Sequence, residues 1–98
     1  MGFKNISVEE TKQLIDGGNI NIIDIRDSGS YSSGHINNAM HAEDMDIDAF
    51  LVEEDKEKPV LIYCYHGVSS QSAAEYFAEH GFSNVYSLEG GYTAWPKE

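Results

Sequence analysis

The only cysteine of this sequence, Cys64, stands at the position best suited to chemistry. It directly follows the apolar run 60–63 and precedes a polar loop that contains Gly67. Ligands of parallel sheets bind beyond the carboxyl ends of the strands, and Cys64 is predicted to lie at such an end. A lone cysteine is more often a small buried apolar residue. The strand end and the loop after it nevertheless favour a nucleophile, so we predict Cys64 as the catalytic residue.

The residues after Cys64 connect a predicted strand to a predicted helix. Their backbone N–H groups can converge on one point as an anion-binding nest, and the sulfur is the obvious occupant. Such surroundings lower the pKa of a cysteine from about 8.5 to roughly 3.5–7.5. Gly67 allows a backbone conformation that side chains obstruct, while Ser69 and Ser70 offer hydroxyl donors and a helix cap. We predict that six residues bind substrate: Tyr65, His66, Gly67, Val68, Ser69 and Ser70.

Other polar residues have competing interpretations. His66 is either a general acid or substrate contact, or a solvent-exposed side chain whose N–H group serves the nest, and the sequence favours neither. Arg26 follows Asp24 at a strand end, and we expect it to pair with a carboxylate and fix the loop around His35. Structural zinc sites usually contain paired cysteine and histidine clusters, which one cysteine does not provide. We therefore expect no metal site and no cofactor.

The elements that position these residues follow from the apolar pattern. Ser7 and Glu10 form a capping-box pattern at the start of a first helix that ends at Gly17. Nearly continuous apolar runs indicate strands covered on both faces. The predicted strands are residues 20–25, 60–63 and 84–88, and the further predicted elements are helices at 45–52 and 70–80, a helix or turn at 90–95 and a loop or single helical turn at 27–34.

This alternation predicts an α/β fold, with helices on both faces of a mainly parallel central sheet. The helix at 45–52 is expected to present Met45, Ala49 and Val52 on one apolar face, with Phe50 and Leu51 beside it. A length of 98 residues predicts one domain that spans residues 1–98.

The charge excludes several classes of partner. Six basic residues against seventeen acidic ones give a net charge of −11, which argues against nucleic acid and against anionic membranes. The longest nearly apolar run, 59–65, is far shorter than the roughly 18 residues of a spanning helix. One cysteine excludes an internal disulfide, and the first residues do not resemble a secretory signal, so we expect a cytoplasmic location.

Four segments, in this order and spacing, resemble the rhodanese-like sulfurtransferases, and among them the small single-domain thiosulfate sulfurtransferases. The resemblance implies a rhodanese-like fold and a Cys64 thiolate that takes the sulfane sulfur of thiosulfate as a persulfide. It also implies an acceptor, either cyanide or a thiol, for which a thioredoxin-like protein is a candidate. The segments are residues 24–26 (DIR), 31–36 with Ala39 (YSSGHI), 64–70 (CYHGVSS) and 90–95 (GGYTAW).

The loop departs from two patterns. Cysteine-based phosphatases of similar fold carry Cys-x5-Arg, whose guanidinium binds the oxyanion, but the arginine position here is Ser70. Many sulfurtransferases place Arg or Lys in or just after the loop, and this sequence has neither there. We therefore expect thiosulfate to react with a high KM, and the physiological donor or acceptor to be a protein or a neutral thiol.

The rival interpretation is a non-catalytic or sulfur-relay carrier module that docks on a partner protein.

Overall fold

Five parallel strands form the central sheet of the computed structural model, which describes residues 2–96. Their order across the sheet is β1-β5-β4-β2-β3, so β4 lies at the centre and its carboxyl end is flanked by those of β5 and β2. This confirms the predicted parallel sheet. The strands are β1 (Phe3–Ile6), β2 (Asn21–Asp24), β3 (Met40–His41), β4 (Val60–Tyr63) and β5 (Val85–Leu88).

Helices cover both faces of the sheet, as predicted. Alternate residues of β4 enter opposite apolar clusters: Ile62 packs with helices α3 and α4, and Leu61 with α1, α2 and α5. This two-sided burial explains why the strand is apolar at every position. The helices are α1 (Val8–Asp16), α2 (Ser28–Ser33), α3 (Ile47–Glu53), α4 (Ser69–Glu79) and α5 (Gly91–Ala94), with a 3-10 turn at Ala42–Asp44.

The ends of two helices follow the predicted signals. The Glu10 N–H group donates to the Ser7 hydroxyl at 3.1 Å, and the Ser7 N–H group donates to the Glu10 carboxylate at 2.9 Å. This reciprocal capping box starts α1. Helix α4 ends before Gly81, whose φ of +98° suits the residue after a helix.

Several elements differ from the prediction. The strands β1 and β3 were not predicted, because β1 exposes Lys4 and Asn5 and β3 is only two residues long. The segment 27–34, predicted as a loop or single helical turn, contains the six-residue helix α2, in which no residue is buried. The predicted apolar face of the helix at 45–52 is wrong at Val52, which is 79% exposed, whereas Met45 packs against the core and Leu51 is buried.

No helix within residues 2–96 is long and apolar enough to cross a membrane. The predicted domain limits at residues 1 and 98 lie outside the described residues.

Candidate active site

Cys64 follows the last residue of the central strand β4, and its side chain is almost buried, with 7% of the residue exposed. The loop of residues 65–68 then leads into α4. The ends of β2 and β5 lie on either side, because both strands pair with β4 in parallel register. The sheet therefore brings three loops to one edge around a single sulfur atom.

Two N–H groups and one hydroxyl group surround the Cys64 sulfur. The N–H groups of Gly67 and Ser70 donate to Sγ at 3.2 and 3.3 Å, and the Ser70 hydroxyl oxygen lies 3.4 Å from it. All of these bonds are buried. The loop thus holds the sulfur as the anion-binding nest of the sequence prediction would.

The electrostatic balance at this sulfur favours the thiolate. Burial raises the pKa of Cys64, but the hydroxyl and N–H groups of Ser70 and the N–H groups of Gly67 and His66 outweigh it. The net result is a pKa below the ordinary value of a cysteine. Because the thiolate is the nucleophilic form, the site can perform nucleophilic displacement.

A second serine, which the sequence prediction missed, supports the first. Ser87 of β5 is fully buried, and its hydroxyl oxygen lies 2.8 Å from that of Ser70. A Ser87 hydroxyl that donates to Ser70 leaves the Ser70 hydroxyl free to donate to the thiolate of Cys64. The predicted helix cap by Ser69 or Ser70 is wrong, because Val68 occupies the N-cap position and makes no side-chain capping bond.

Helix α5 fixes the orientation of the loop. The N–H groups of Tyr92 and Thr93 donate to the carbonyl oxygens of Cys64 and Tyr65 at 2.8 and 3.1 Å. The carbonyl groups of Cys64 and of the first loop residue are therefore bonded to α5. A side chain at Gly91, where φ is +60°, would collide with the Tyr65 carbonyl, so only glycine fits this close approach.

The other predicted loop residues surround a cavity of about 320 Å³ beside Cys64. Tyr65, His66, Val68 and Ser69 line this cavity and are exposed. Gly67 and Ser70 are buried beneath them, so the structure brings all six predicted residues to one site. His66 Nδ1 lies 3.5 Å from the Thr93 hydroxyl oxygen, which tethers the imidazole loosely to α5.

Arg26 forms the predicted carboxylate pair. Its Nη2 donates to Asp24 at 2.7 Å, and the two side chains are 3% and 0% exposed. The same nitrogen donates to the Gly34 carbonyl at 2.7 Å, which ties the segment before His35 to β2. The guanidinium also lies over the Tyr92 ring, 4.2 Å from its centroid. Arg26 lines the Cys64 cavity, but its charge is compensated by Asp24.

Asp27 is a charged residue of the site that the sequence prediction missed. Its carboxylate caps α2 through the Ser30 N–H group and accepts the Tyr65 hydroxyl at 2.9 Å. Hydrogen bonds from Ser30 and from the Tyr65 hydroxyl lower the pKa of Asp27 to about 2. Asp27 also lines a larger neighbouring cavity of about 1010 Å³, which includes Trp95. The Tyr65–Asp27 hydrogen bond lies where the two cavities adjoin, since both residues line both of them.

Residues 2–96 contain no group of three or more histidine, cysteine, aspartate or glutamate side chains that could hold a metal ion.

Comparison with known proteins identifies the family. The Rhodanese-like domain profile matches residues 7–98. The chain is 46% identical over 95 residues to the thiosulfate sulfurtransferase GlpE of Pseudoalteromonas translucida, covering 97% of this chain and 90% of the relative. It is 47% identical over 95 residues to the GlpE of Coxiella burnetii, covering 97% and 89%.

Solved structures agree with this assignment. The crystal structure of a rhodanese-like domain protein from Staphylococcus aureus superposes with a TM-score of 0.76 at 28% identity, covering 97% of this chain and 93% of that one. The rhodanese-like domain of the Anabaena protein Alr3790, solved in solution, gives a TM-score of 0.77 at 27% identity, covering 93% and 71%. With Cys64 at the expected strand end and a family profile that matches nearly its whole length, this chain belongs to the rhodanese-like domain family.

Proposed function

We propose that this protein is a thiosulfate sulfurtransferase, in which Cys64 carries the transferred sulfur as a persulfide. The observation that carries the proposal is the convergence of the Gly67 and Ser70 N–H groups and the Ser70 hydroxyl on Sγ. The curated relatives named thiosulfate sulfurtransferase GlpE support the reaction, at 46% and 47% identity over 95 residues.

The reaction consists of two displacements at sulfur. The Cys64 thiolate attacks the outer sulfur of thiosulfate, the sulfur–sulfur bond of thiosulfate breaks, and sulfite leaves with the bonding electron pair. A cyanide ion or thiolate then attacks the outer sulfur of the persulfide, and the electron pair of that bond returns to Sγ. No oxidant, metal or cofactor is required, and ping-pong kinetics is the expected signature.

The proposed roles of the loop residues follow from their positions. Gly67 and Ser70 stabilise the sulfur anion that is present before loading and again after transfer. Tyr65, His66, Val68 and Ser69 contact the donor or acceptor, since they line the cavity beside Sγ.

The proposal has three further parts. We propose that residues 1–98 form a single domain, that the protein is located in the cytoplasm, and that a thioredoxin-like protein accepts the sulfur. One cysteine in 98 residues is compatible with a reducing compartment, where disulfides are rare. Thioredoxin-like proteins contain a reactive thiol of lowered pKa, which can take the sulfur from a persulfide.

Replacement of the cysteine tests the mechanism. We expect the wild type to form thiocyanate from thiosulfate and cyanide, and Cys64→Ser to lose this activity at least about 10³-fold, because a serine hydroxyl is a far weaker nucleophile. Intact-mass spectrometry after thiosulfate treatment should show one added sulfur atom on the wild type and none on the variant.

The variant's thermal unfolding midpoint, measured in parallel, separates loss of the thiol from loss of the fold. Activity that survives in folded Cys64→Ser would refute the persulfide mechanism. A wild type that gains sulfur only from a partner protein, and never from a small donor, would favour the sulfur-relay carrier. Sulfide release from the loaded protein on addition of reduced thioredoxin tests the proposed acceptor.

A further inference from the structure

The charged side chains at the Cys64 cavity differ in how far they are exposed to a substrate. Among the described residues that line it, Arg26 and Asp27 carry full charges at neutral pH. The Arg26 guanidinium is buried and bonded to Asp24, so the pair presents little net charge. Asp27 is exposed. A molecule that approaches Cys64 therefore meets an uncompensated negative charge.

The Asp27 carboxylate is held in place from two sides. The Ser30 N–H and hydroxyl groups donate to it at 3.2 and 2.8 Å, and the Tyr65 hydroxyl donates from the Cys64 loop at 2.9 Å. Tyr65 stands one residue after Cys64, so its hydrogen bond fixes the carboxylate relative to the reactive loop. The lowered pKa of Asp27, about 2, keeps it ionised throughout the working range of pH.

Two side chains add apolar surface at the mouth, beside the polar side chains of His66 and Ser69. Val68 is 71% exposed and Tyr65 is 42% exposed, and both line the cavity. An inorganic dianion gains little from such a surface, whereas the carbon atoms of an organic thiol can pack against it.

We propose that Asp27 sets the charge selectivity of the Cys64 site, disfavouring anionic sulfur carriers and favouring neutral or cationic organic thiols and persulfides. This inference rests on the proposed function, because it concerns the transfer of sulfur to and from Cys64. Coulomb repulsion between Asp27 and an anionic carrier weakens its approach, and attraction favours a cationic one.

The step that reveals the selectivity is the discharge of the loaded enzyme. The thiolate of the acceptor attacks the outer sulfur of the Cys64 persulfide, and a bond forms between the two sulfur atoms. The persulfide bond of the enzyme breaks, and its electron pair returns to Sγ. The acceptor leaves as an organic persulfide, so atoms and electrons balance without a further reactant.

The test uses three small thiols that differ mainly in charge: cysteamine, mercaptoethanol and mercaptopropionate. Wild type and Asp27→Asn are loaded with thiosulfate, freed of small molecules and mixed with each thiol, and the second-order discharge rate constant is measured. The quantity compared is the ratio of the variant to the wild type for each thiol, in which the intrinsic reactivity of the thiol cancels. Asparagine retains the N-cap preference of position 27.

The matched control is Asp55→Asn. Asp55 lies in the turn before β4, at the opposite end of that strand from Cys64, and its carboxylate accepts the Glu57 N–H group at 2.9 Å. This substitution removes the same charge from the chain and also keeps a side-chain oxygen as acceptor. A change caused by net charge alone would occur in both variants.

We expect the Asp27→Asn ratio to rise by about twofold to fivefold for each additional negative charge on the thiol, in the order cysteamine, mercaptoethanol, mercaptopropionate. Asp55→Asn should give nearly equal ratios. Equal rate-constant ratios for the three thiols in Asp27→Asn, or the same increase of the ratio in Asp55→Asn, would overturn the inference and leave the sulfurtransferase function intact. Failure of the wild type to take up sulfur would refute the proposed function itself and the inference with it. Asp27→Ser, which also keeps a good N-cap, repeats the measurement if Asp27→Asn does not fold.

Discussion

Two buried hydroxyl groups lie next to one another beside the Cys64 sulfur. The Ser70 hydroxyl contacts the sulfur directly, and the Ser87 hydroxyl oxygen lies 2.8 Å from that of Ser70. Burial alone would raise the pKa of Cys64, so the lowered value depends on these hydrogen bonds and on the loop N–H groups. A group with a depressed pKa keeps its charge until the pH falls through that pKa, so activity should fall on the acid side.

Ser70→Ala should therefore move the acid limb of kcat/KM for thiosulfate to higher pH. The expected shift is about one to two pH units, because a hydrogen bond to a charged group contributes about 1.5–3 kcal/mol and one pKa unit corresponds to about 1.4 kcal/mol. Ser87→Ala should shift it in the same direction by less, since Ser87 acts through Ser70. The measurement is the pH profile of thiocyanate formation.

Ser72→Ala is the control for these variants, because Ser72 is exposed on the same helix, α4. Its pH profile should match the wild type. An unchanged acid limb in Ser70→Ala, with the fold intact, would show that the hydroxyl does not set the pKa of Cys64.

The sequence predicted the directly contacting residues of the site but not the supporting ones. Cys64 and Ser70 were found because strand, loop and helix follow one another along the chain. Ser87 is brought near the site by the pairing of β4 with β5, in which it lies opposite Ile62. A serine within a strand gives no sign in the sequence that it will contact Ser70. The Asp27 contact likewise depends on a Tyr65 side chain that reaches across from another loop.

At the level of elements, helix α5 is the support on which the Cys64 loop is built. Its N–H groups bind two loop carbonyls, and the contact requires glycine at two positions. A side chain at Gly67, where φ is +85°, would come within 2.8 Å of the Gly90 nitrogen, and one at Gly91 would collide with the Tyr65 carbonyl. The Cys64 loop and α5 are therefore closely packed against each other.

Gly91→Ala should reduce stability and activity together. The positive φ costs about 1–2 kcal/mol for a residue with a Cβ, and the collision forces α5 away from the loop, for an expected total of about 3 kcal/mol. Urea denaturation measures the free energy of unfolding, and the rate of persulfide formation measures the reactivity of Cys64.

Gly81→Ala separates the effect of the positive φ from the effect of the collision. Gly81 also has a positive φ, +98°, but a Cβ there would meet nothing within 4 Å. This variant should lose about 1–2 kcal/mol and keep the wild-type rate of persulfide formation. Equal effects of both substitutions on that rate would refute the role of α5 as a support.

Elements with a strong apolar pattern were predicted well, and the others were not. The buried strands β2, β4 and β5 and the helices α1 and α4 lie within one or two residues of the prediction. The exposed helix α2 and the short strand β3 lack such a pattern. Helix α3 was placed correctly, but Val52 of its predicted apolar face is exposed, since spacing alone did not show that Leu51 points inward and Val52 outward.

At the scale of the whole molecule, the net charge of −11 acts on every anionic substrate before it reaches the site. Thiosulfate is a dianion, and described loop residues 65–68 include no lysine or arginine to offset the field. Long-range repulsion of this kind is screened by salt. This long-range repulsion depends on the total charge of the chain, whereas the proposed effect of Asp27 depends on where that single charge lies.

The KM for thiosulfate should therefore fall as ionic strength rises from about 0.01 M to 0.1 M, where the Debye length shortens from about 30 to 10 Å. A decrease of about twofold to fivefold is expected, with thiosulfate counted in the ionic strength. Sodium and potassium chloride should act equally. A low KM that does not respond to salt would contradict both this expectation and a high KM for thiosulfate.

The edges of the sheet affect how copies of the chain meet. Unpaired edge strands can pair with the sheet of a neighbouring molecule, and long flat edges are sites of aggregation. Here β3 offers only two residues at one edge, and β1 at the other edge has an exposed lysine at Lys4. Neither edge is a good template for a further strand, so the protein should tolerate high concentration without sheet-to-sheet association.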